Sequence, residues 1–130
     1  MSTMPLVTED TSNPRVRAVF DDIKATKKID RVPNIWRALA NHPPTLKRTW
    51  ESLKEVMAPG ALDPLVKEMI YVAVSVTNGC AYCIATHTEA ARRAGMSEAM
   101  FGELMGVVGM ANETNRLASG YQVEIDDRFK

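Results

Sequence analysis

Apolar residues recur along the first half of the chain at the spacing of a helix face. An α-helix turns by about 100° per residue, so residues three or four apart lie on the same side. Two stripes have this spacing: Val16, Val19, Phe20, Ile23 and then Leu46, Trp50, Leu53, Met57. The pattern predicts one helix ending near Lys28 and another over TLKRTWESLKEVM.

Start and stop signals divide this half further. Thr11-Ser12-Asn13-Pro14 offers N-cap side chains followed by a proline suited to a first helical turn. Asn34 is placed to cap a short helix, IWRALANH. Pro43-Pro44 ends this helix and begins the next one. Three helices are therefore expected before residue 58.

The second half begins with the clearest helix start, Asp63-Pro64, followed by LVKEMIYVAVSVTNG. The β-branched residues of this run would suit a strand, but no other segment alternates with period two, so a partner strand is missing. A buried helix is predicted, ended by Asn78-Gly79. A further helix is expected from Cys80 to Ala94, with Gly95 as its stop. Ser97-Glu98 then starts the last helix, through FGELMGVVGMANETNRLAS.

Together these elements predict an all-α domain of about six helices. The expected organisation is a loose N-terminal leader over 1–10, a helical domain over 11–120 and a polar C-terminal tail over 121–130. Within the last helix, glycine and methionine alternate at short spacing: Gly102, Gly106, Gly109 and Met100, Met105, Met110. These residues suit close helix packing, either in the core or at an oligomer interface.

Composition narrows the classes of function. Sixteen basic residues balance sixteen acidic ones, so nothing in the net charge favours nucleic acid or an anionic membrane. The run KATKKIDR is best explained as cations at a helix C-terminus. The N-terminus lacks a signal-peptide pattern, and no apolar run reaches about 18 residues, so a cytoplasmic location is expected.

Candidate chemistry is concentrated in NGCAYCIATH, which holds both cysteines of the chain and one of its two histidines. On one helix, Cys80, Cys83 and His87 would share a face. Cys83 and His87 would stand one turn apart, with a rise of about 6 Å, whereas Cys80 and His87 would be about 10.5 Å apart. Only Cys83 is then near enough to give its proton to His87, while Cys80 lies where free backbone amides stabilise a thiolate.

This asymmetry predicts a division of roles. Cys83 would be the nucleophile that attacks an electrophile such as a peroxide, with His87 as its base. Cys80 would then condense with the resulting sulfenic acid to form a disulfide, which an external dithiol must reduce. On a helical hairpin, Glu68 would face His87 and orient it.

Other interpretations of the same residues stay open. The cysteines could be small buried apolar residues, and zinc could bind Cys80, Cys83, His87 and Glu68, although a second Cys/His pair is absent. His42 is expected to be structural. A thioredoxin-type site is disfavoured because no βαβ pattern surrounds the C-x-x-C pair.

With these residues in place, the chain resembles the AhpD-like alkylhydroperoxidases of the carboxymuconolactone decarboxylase superfamily. The resemblance rests on Glu68, Cys80, Cys83 and His87 in E-MIYVAVSVTNG-C-AY-C-IAT-H, and extends over about residues 32–118. One departure is Tyr82, since the family's archetype has histidine just before its second cysteine.

The resemblance implies an all-α fold assembled into trimers or hexamers. It also implies a peroxidase in which Cys83 is peroxidatic, Cys80 resolves, and His87 and Glu68 relay the proton. A hydroperoxide substrate and a dithiol donor of the lipoylated or thioredoxin-like kind would be the partners, with no bound cofactor or metal. Two alternatives remain: decarboxylation or related proton transfer on a small organic acid through His87 and Glu68, and a non-catalytic redox-sensing oligomer.

Overall fold

The computed structural model describes residues 1–130 as six α-helices, a short 3-10 turn at Asp127–Phe129 and no strand. The all-α prediction is therefore confirmed. The chain divides into two compact units, Met1–Ala58 and Pro59–Lys130. The helices are α1 Pro14–Lys27, α2 Asn34–Leu39, α3 Pro43–Met57, α4 Pro64–Asn78, α5 Ala81–Arg93 and α6 Glu98–Gly120.

The first unit buries the whole first apolar stripe and Leu46 and Trp50 of the second, with Leu53 partly buried against them. Trp36 and Trp50 meet edge to face, with ring centroids 5.2 Å apart and planes at 81°, an arrangement that aromatic pairs favour. The buried cluster consists of Val16, Val19, Phe20, Ile23, Val32, Trp36, Ala40, Leu46 and Trp50. The core of this unit therefore joins all three of its helices.

Helix α1 begins at the expected cap, whereas α2 departs from its predicted bounds at both ends and stops at Leu39, before the predicted end at His42. The side chain of Asn13 accepts hydrogen bonds from the backbone amides of Arg15 and Val16, which caps α1. At the start of α2 the N-cap position is held by Pro33, not by Asn34. The cap predicted for Asn34 is therefore wrong, because the extended conformation that Pro33 readily adopts already ends the preceding turn.

The first ten residues make defined contacts with α2 and its surroundings. The backbone amide of Val7 donates to the carbonyl of Arg37 at 3.1 Å, and the Asn41 side chain donates to the carbonyl of Pro5 at 2.8 Å. Glu9 accepts from the amide of Val32 at 3.2 Å. The division of the chain into leader, domain and tail stays a prediction.

The second unit is built on a hairpin of α4 and α5. Asp63 caps α4 by accepting from the amide of Leu65 at 2.8 Å, and the run that would also suit a strand is helical throughout. Gly79 ends α4 with a φ of 69°, a left-handed conformation that glycine adopts without steric cost. The connection is short, so α4 and α5 pack side by side.

Helix α6 completes this unit and begins at the predicted cap, where Ser97 accepts from the amide of Met100. It is tied to α4 by Asn112, whose side-chain amide donates to the Thr77 hydroxyl at 3.1 Å and to the carbonyl of Val108 at 2.8 Å. None of the six helices combines the length and the hydropathy needed to cross a membrane.

The glycines of α6 face open space. A Cβ atom added at Gly102, Gly106 or Gly109 would meet no neighbouring atom within 4 Å. Close packing of these glycines inside the chain, one of the two alternatives, is therefore wrong. Val107 and Met110 on the same helix are also exposed, at 66% and 58%.

Candidate active site

The site is formed at the hairpin of the second unit, where α4 ends and α5 begins. Cys80 occupies the N-cap of α5 in an extended conformation, and Cys83 and His87 lie within the helix. The helix thus begins one residue later than predicted, and Cys80 does not share its regular helical face. Cys83 and His87 keep the four-residue spacing that sets them one turn apart, about 6 Å in rise.

Cys80 and Cys83 are joined by a disulfide, and no free cysteine is left in the chain. Their Cα atoms lie 5.3 Å apart, within the range that disulfides require. The extended backbone of Cys80 brings its sulfur back over the first turn, where Sγ also accepts a hydrogen bond from the amide of Cys83 at 3.2 Å. The sulfur of Cys80 therefore caps the helix by accepting from the Cys83 amide, and the same hydrogen bond would stabilise a thiolate at Cys80.

His87 is held by a carboxylate from the neighbouring helix. Nδ1 of His87 lies 2.7 Å from Oε2 of Glu68, and the two side chains are only 15% and 18% exposed. The hairpin therefore brings together Glu68 and His87, which the sequence predicts to face each other. Their role in catalysis stays a prediction.

This contact determines how a neutral His87 can act. An ionised carboxylate only accepts hydrogen bonds, so Nδ1 must carry the proton when it bonds to Glu68. The lone pair of the neutral ring is then on Nε2, on the opposite edge. The Glu68 contact thus leaves Nε2 as the nitrogen that can take up a proton.

Tyr71 covers one face of the His87 ring. The two ring centroids are 3.5 Å apart and the planes differ by 18°, so the rings are stacked. Sequence reasoning missed Tyr71. The available signal was its position three residues after Glu68, which places both side chains on the same face of α4.

The sequence also singled out Tyr82 and His42. Tyr82, between the two cysteines, is 38% exposed. His42 belongs to the first unit, where it occupies the N-cap of α3 and its ring bonds to the hydroxyl of Thr45 at 2.7 Å. No group of three or more His, Cys, Asp or Glu side chains is arranged to hold a metal ion.

Comparison with known proteins agrees with the all-α fold. The family model described as the carboxymuconolactone decarboxylase family matches residues 43–123, more than half of the chain. No curated protein gives a significant match. The chain is similar to the crystal structure of an alkylhydroperoxidase AhpD core from Rhodospirillum rubrum, at 51% identity and a TM-score of 0.95, covering 99% of this chain and 97% of that one. The chain therefore belongs to the carboxymuconolactone decarboxylase family and is one of its AhpD-like alkylhydroperoxidase members.

Proposed function

We propose that this protein is a thiol peroxidase that reduces hydroperoxides through Cys83 and Cys80. The observation that carries the proposal is the pairing of a disulfide-forming C-x-x-C with a carboxylate-bound histidine one turn further along the same helix. A redox-active sulfur pair and a positioned base are the two parts that such chemistry needs. The similar alkylhydroperoxidase core from Rhodospirillum rubrum supports this assignment.

The first step oxidises Cys83. His87 takes the proton of the Cys83 thiol on Nε2, and the thiolate attacks the terminal oxygen of the hydroperoxide. The O–O bond breaks, the sulfur becomes a sulfenic acid, and the departing alkoxide takes the proton back from His87 and leaves as an alcohol. Glu68 keeps the ring in the tautomer that this transfer requires.

The second step forms the bond that the structure contains. The thiol of Cys80 attacks the sulfenic sulfur of Cys83, water leaves, and the Cys80–Cys83 disulfide results. An external dithiol then returns two electrons and two protons by exchange through a mixed disulfide. We assign this role to a lipoylated or thioredoxin-like donor, with no cofactor held by the chain itself.

The need for a reduced donor also suggests where the reaction occurs. Dithiol donors are kept reduced in the cytoplasm, so the proposed cycle belongs there. Assembly is part of the proposal, because α6 exposes Val107 and Met110 beside glycines at which an added Cβ atom would meet no neighbouring atom within 4 Å. A second copy packed on this face would give a homo-oligomer, with a trimer or hexamer as the expected size.

Intact-mass analysis with thiol titration tests the proposal. One equivalent of cumene hydroperoxide added to the reduced protein should remove two mass units and both titratable thiols. Cys83→Ser should abolish peroxide consumption, whereas Cys80→Ser should complete one turnover and accumulate a sulfenic acid that dimedone traps. Undiminished peroxide consumption by both variants would overturn the assignment.

The family name points to a second candidate, proton transfer on a small organic acid by His87 and Glu68 without redox change at sulfur. That reaction would survive replacement of both cysteines by serine, while the peroxidase would not. A purely redox-sensing oligomer would instead change its assembly with oxidant and show no turnover with peroxide and dithiothreitol. Activity measurements on the two single serine variants and on the variant with both cysteines replaced, together with one sizing experiment, therefore separate all three functions.

A further inference from the structure

The histidine of the site has two different contacts on α4, and each restricts a different motion of its ring. The hydrogen bond from Nδ1 to Glu68 fixes one edge of the imidazole at 2.7 Å. A single hydrogen bond still leaves the ring free to rotate about the line joining the two atoms. The stack against Tyr71, with planes 18° apart, removes that rotation.

Tyr71 is itself on a rigid part of α4. The next residue, Val72, is fully buried, and the hydroxyl of Ser75 donates to the carbonyl of Tyr71 at 2.7 Å. Ser75 is also buried, at 4% exposure. The turn that carries the tyrosine ring is therefore held by packing on one side and by an extra hydrogen bond on its backbone.

We propose that Tyr71 is a positioning residue that holds the plane of the His87 ring so that Nε2 points at the sulfur of Cys83. This inference rests on the proposed function of His87 as the base for Cys83. Glu68 determines that Nε2 is the nitrogen of His87 that accepts the proton, and Tyr71 sets the direction in which Nε2 points. Proton transfer depends steeply on such alignment, and a displacement of about 1 Å can reduce a rate by about 10²-fold.

The tyrosine acts through its ring face, because the observed contact is a stack of the two rings. Phenylalanine would keep this face and lose only the hydroxyl. Leucine has a comparable apolar character but no flat surface against which an imidazole can lie. The two substitutions therefore separate ring positioning from any contribution of the phenol group.

The experiment measures the reactivity of Cys83 without using peroxide. In a reduced Cys80→Ser background, where Cys83 is the only thiol, the rate of alkylation by iodoacetamide is measured at pH 7. Tyr71→Leu is expected to slow alkylation about tenfold, since misalignment is partial when Glu68 still holds the ring. Tyr71→Phe is expected to keep the parent rate, and Tyr121→Leu, which removes an 80% exposed tyrosine from the same unit, serves as the matched control.

A double variant shows whether the effect passes through the histidine. In an His87→Ala background, Tyr71→Leu should cause no further loss, because there is no ring left to position. An equal loss in that background, or a parent-like rate for Tyr71→Leu in the presence of His87, would overturn the proposal. A slow Tyr71→Phe variant would overturn it as well.

NMR of the parent protein tests the ring stack without any substitution at Tyr71. In the reduced parent protein, the carbon-bound ring protons of His87 should be shifted upfield in the NMR spectrum by the stacked ring and should give cross-relaxation to the ring protons of Tyr71. Ordinary shifts with no such cross-relaxation would overturn the inference. The NMR spectrum and the alkylation rates of the variants could support the stack while the parent protein consumes no peroxide. That result would refute the peroxidase function and leave the positioning role intact.

Discussion

Glu68 and His87 join α4 to α5 through a contact of 2.7 Å between Oε2 and Nδ1. The two residues are nineteen positions apart in the chain and meet because the Gly79 turn folds one helix onto the other. The contact converts a histidine on a helix face into a ring of defined tautomer with Nε2 available as the acceptor. Its contribution to the proposed reaction is open to direct measurement.

Glu68→Gln should slow the oxidation of Cys83 by about tenfold or more, because a neutral amide no longer fixes the proton on Nδ1 as an acceptor-only carboxylate does. Stopped-flow measurement of disulfide formation with cumene hydroperoxide gives the rate. Glu89→Gln is the matched control, since Glu89 is an exposed residue of α5 paired with Arg93. Equal rates for the parent and Glu68→Gln would remove Glu68 from the mechanism.

Thr88→Val should raise the free energy of unfolding by about 1 kcal/mol, because a buried hydroxyl without a partner costs energy that an isosteric methyl group does not. Thr88 is 7% exposed, and its hydroxyl has no hydrogen-bond partner. Urea denaturation measures the change. Thr86→Val should stay within about 0.5 kcal/mol, since it removes a hydroxyl that bonds to the Tyr82 carbonyl on a more accessible face. A destabilised Thr88→Val would contradict the assignment of an unsatisfied group.

Gly79→Ala should destabilise the protein by about 1 to 2 kcal/mol, because an L-residue with a side chain resists the left-handed conformation at a φ of 69°. The space around Gly79 is open, so backbone strain alone is at issue. Gly120→Ala, also in open space but at the helical end of α6, should instead stabilise by up to about 1 kcal/mol. Thermal or urea unfolding measures the change in stability of both variants. Equal changes would contradict the argument that the left-handed conformation at Gly79 resists a side chain.

The ionisation of Asp22 makes the stability of the first unit depend on pH. A hydrogen bond from Lys54 and then one from the Trp50 indole lower the pKa of Asp22. A carboxylate with a lowered folded-state pKa stabilises the fold above its unfolded pKa of about 4, and this stability is lost as the pH falls through the lower folded-state value.

Asp22→Asn should therefore flatten the acid limb of the stability curve. At pH 7 the substitution should lower the free energy of unfolding by about 1 kcal/mol or less, because the side chain of Asp22 is 42% exposed and solvent screens its charge. Urea denaturation between pH 2 and pH 7 checks both expectations. Adding Lys54→Met to Asp22→Asn should leave the low-pH part of the stability curve as it is in Asp22→Asn alone. If Asp22→Asn keeps the parent's low-pH dependence, the ion pair between Asp22 and Lys54 does not govern that dependence.

The exposed face of α6 is expected to carry the proposed assembly. Val107→Glu places a charge on a residue that is 66% exposed and adjoins glycines facing open space, so it should shift the protein towards smaller species. Light scattering coupled to size exclusion measures the mass. Leu62→Glu, at a loop residue that is 49% exposed, is the control and should keep the parent mass. An unchanged oligomer in Val107→Glu would place the interface elsewhere.

Much of the candidate site could be predicted because its signals are local. Cys83 and His87 share a helix, and their separation follows from helical geometry once the helix is recognised. Asp63, Gly79 and Ser97 mark helix ends through contacts within a few residues. The exact start of α5 was not predictable in this way, because Cys80 leaves the helical conformation to become its cap.

The sequence by itself determined the helices, the caps at Asn13, Asp63 and Ser97, and the spacing of the sulfur pair from its histidine, because each depends on residues one or two turns apart. Only the tertiary structure decided that Glu68 bonds to Nδ1, that Tyr71 stacks on the ring, and that the glycines of α6 meet no other part of the chain. These relationships depend on how one helix is rotated against the next. That rotation is set by packing over the whole hairpin, and no single local pattern encodes it.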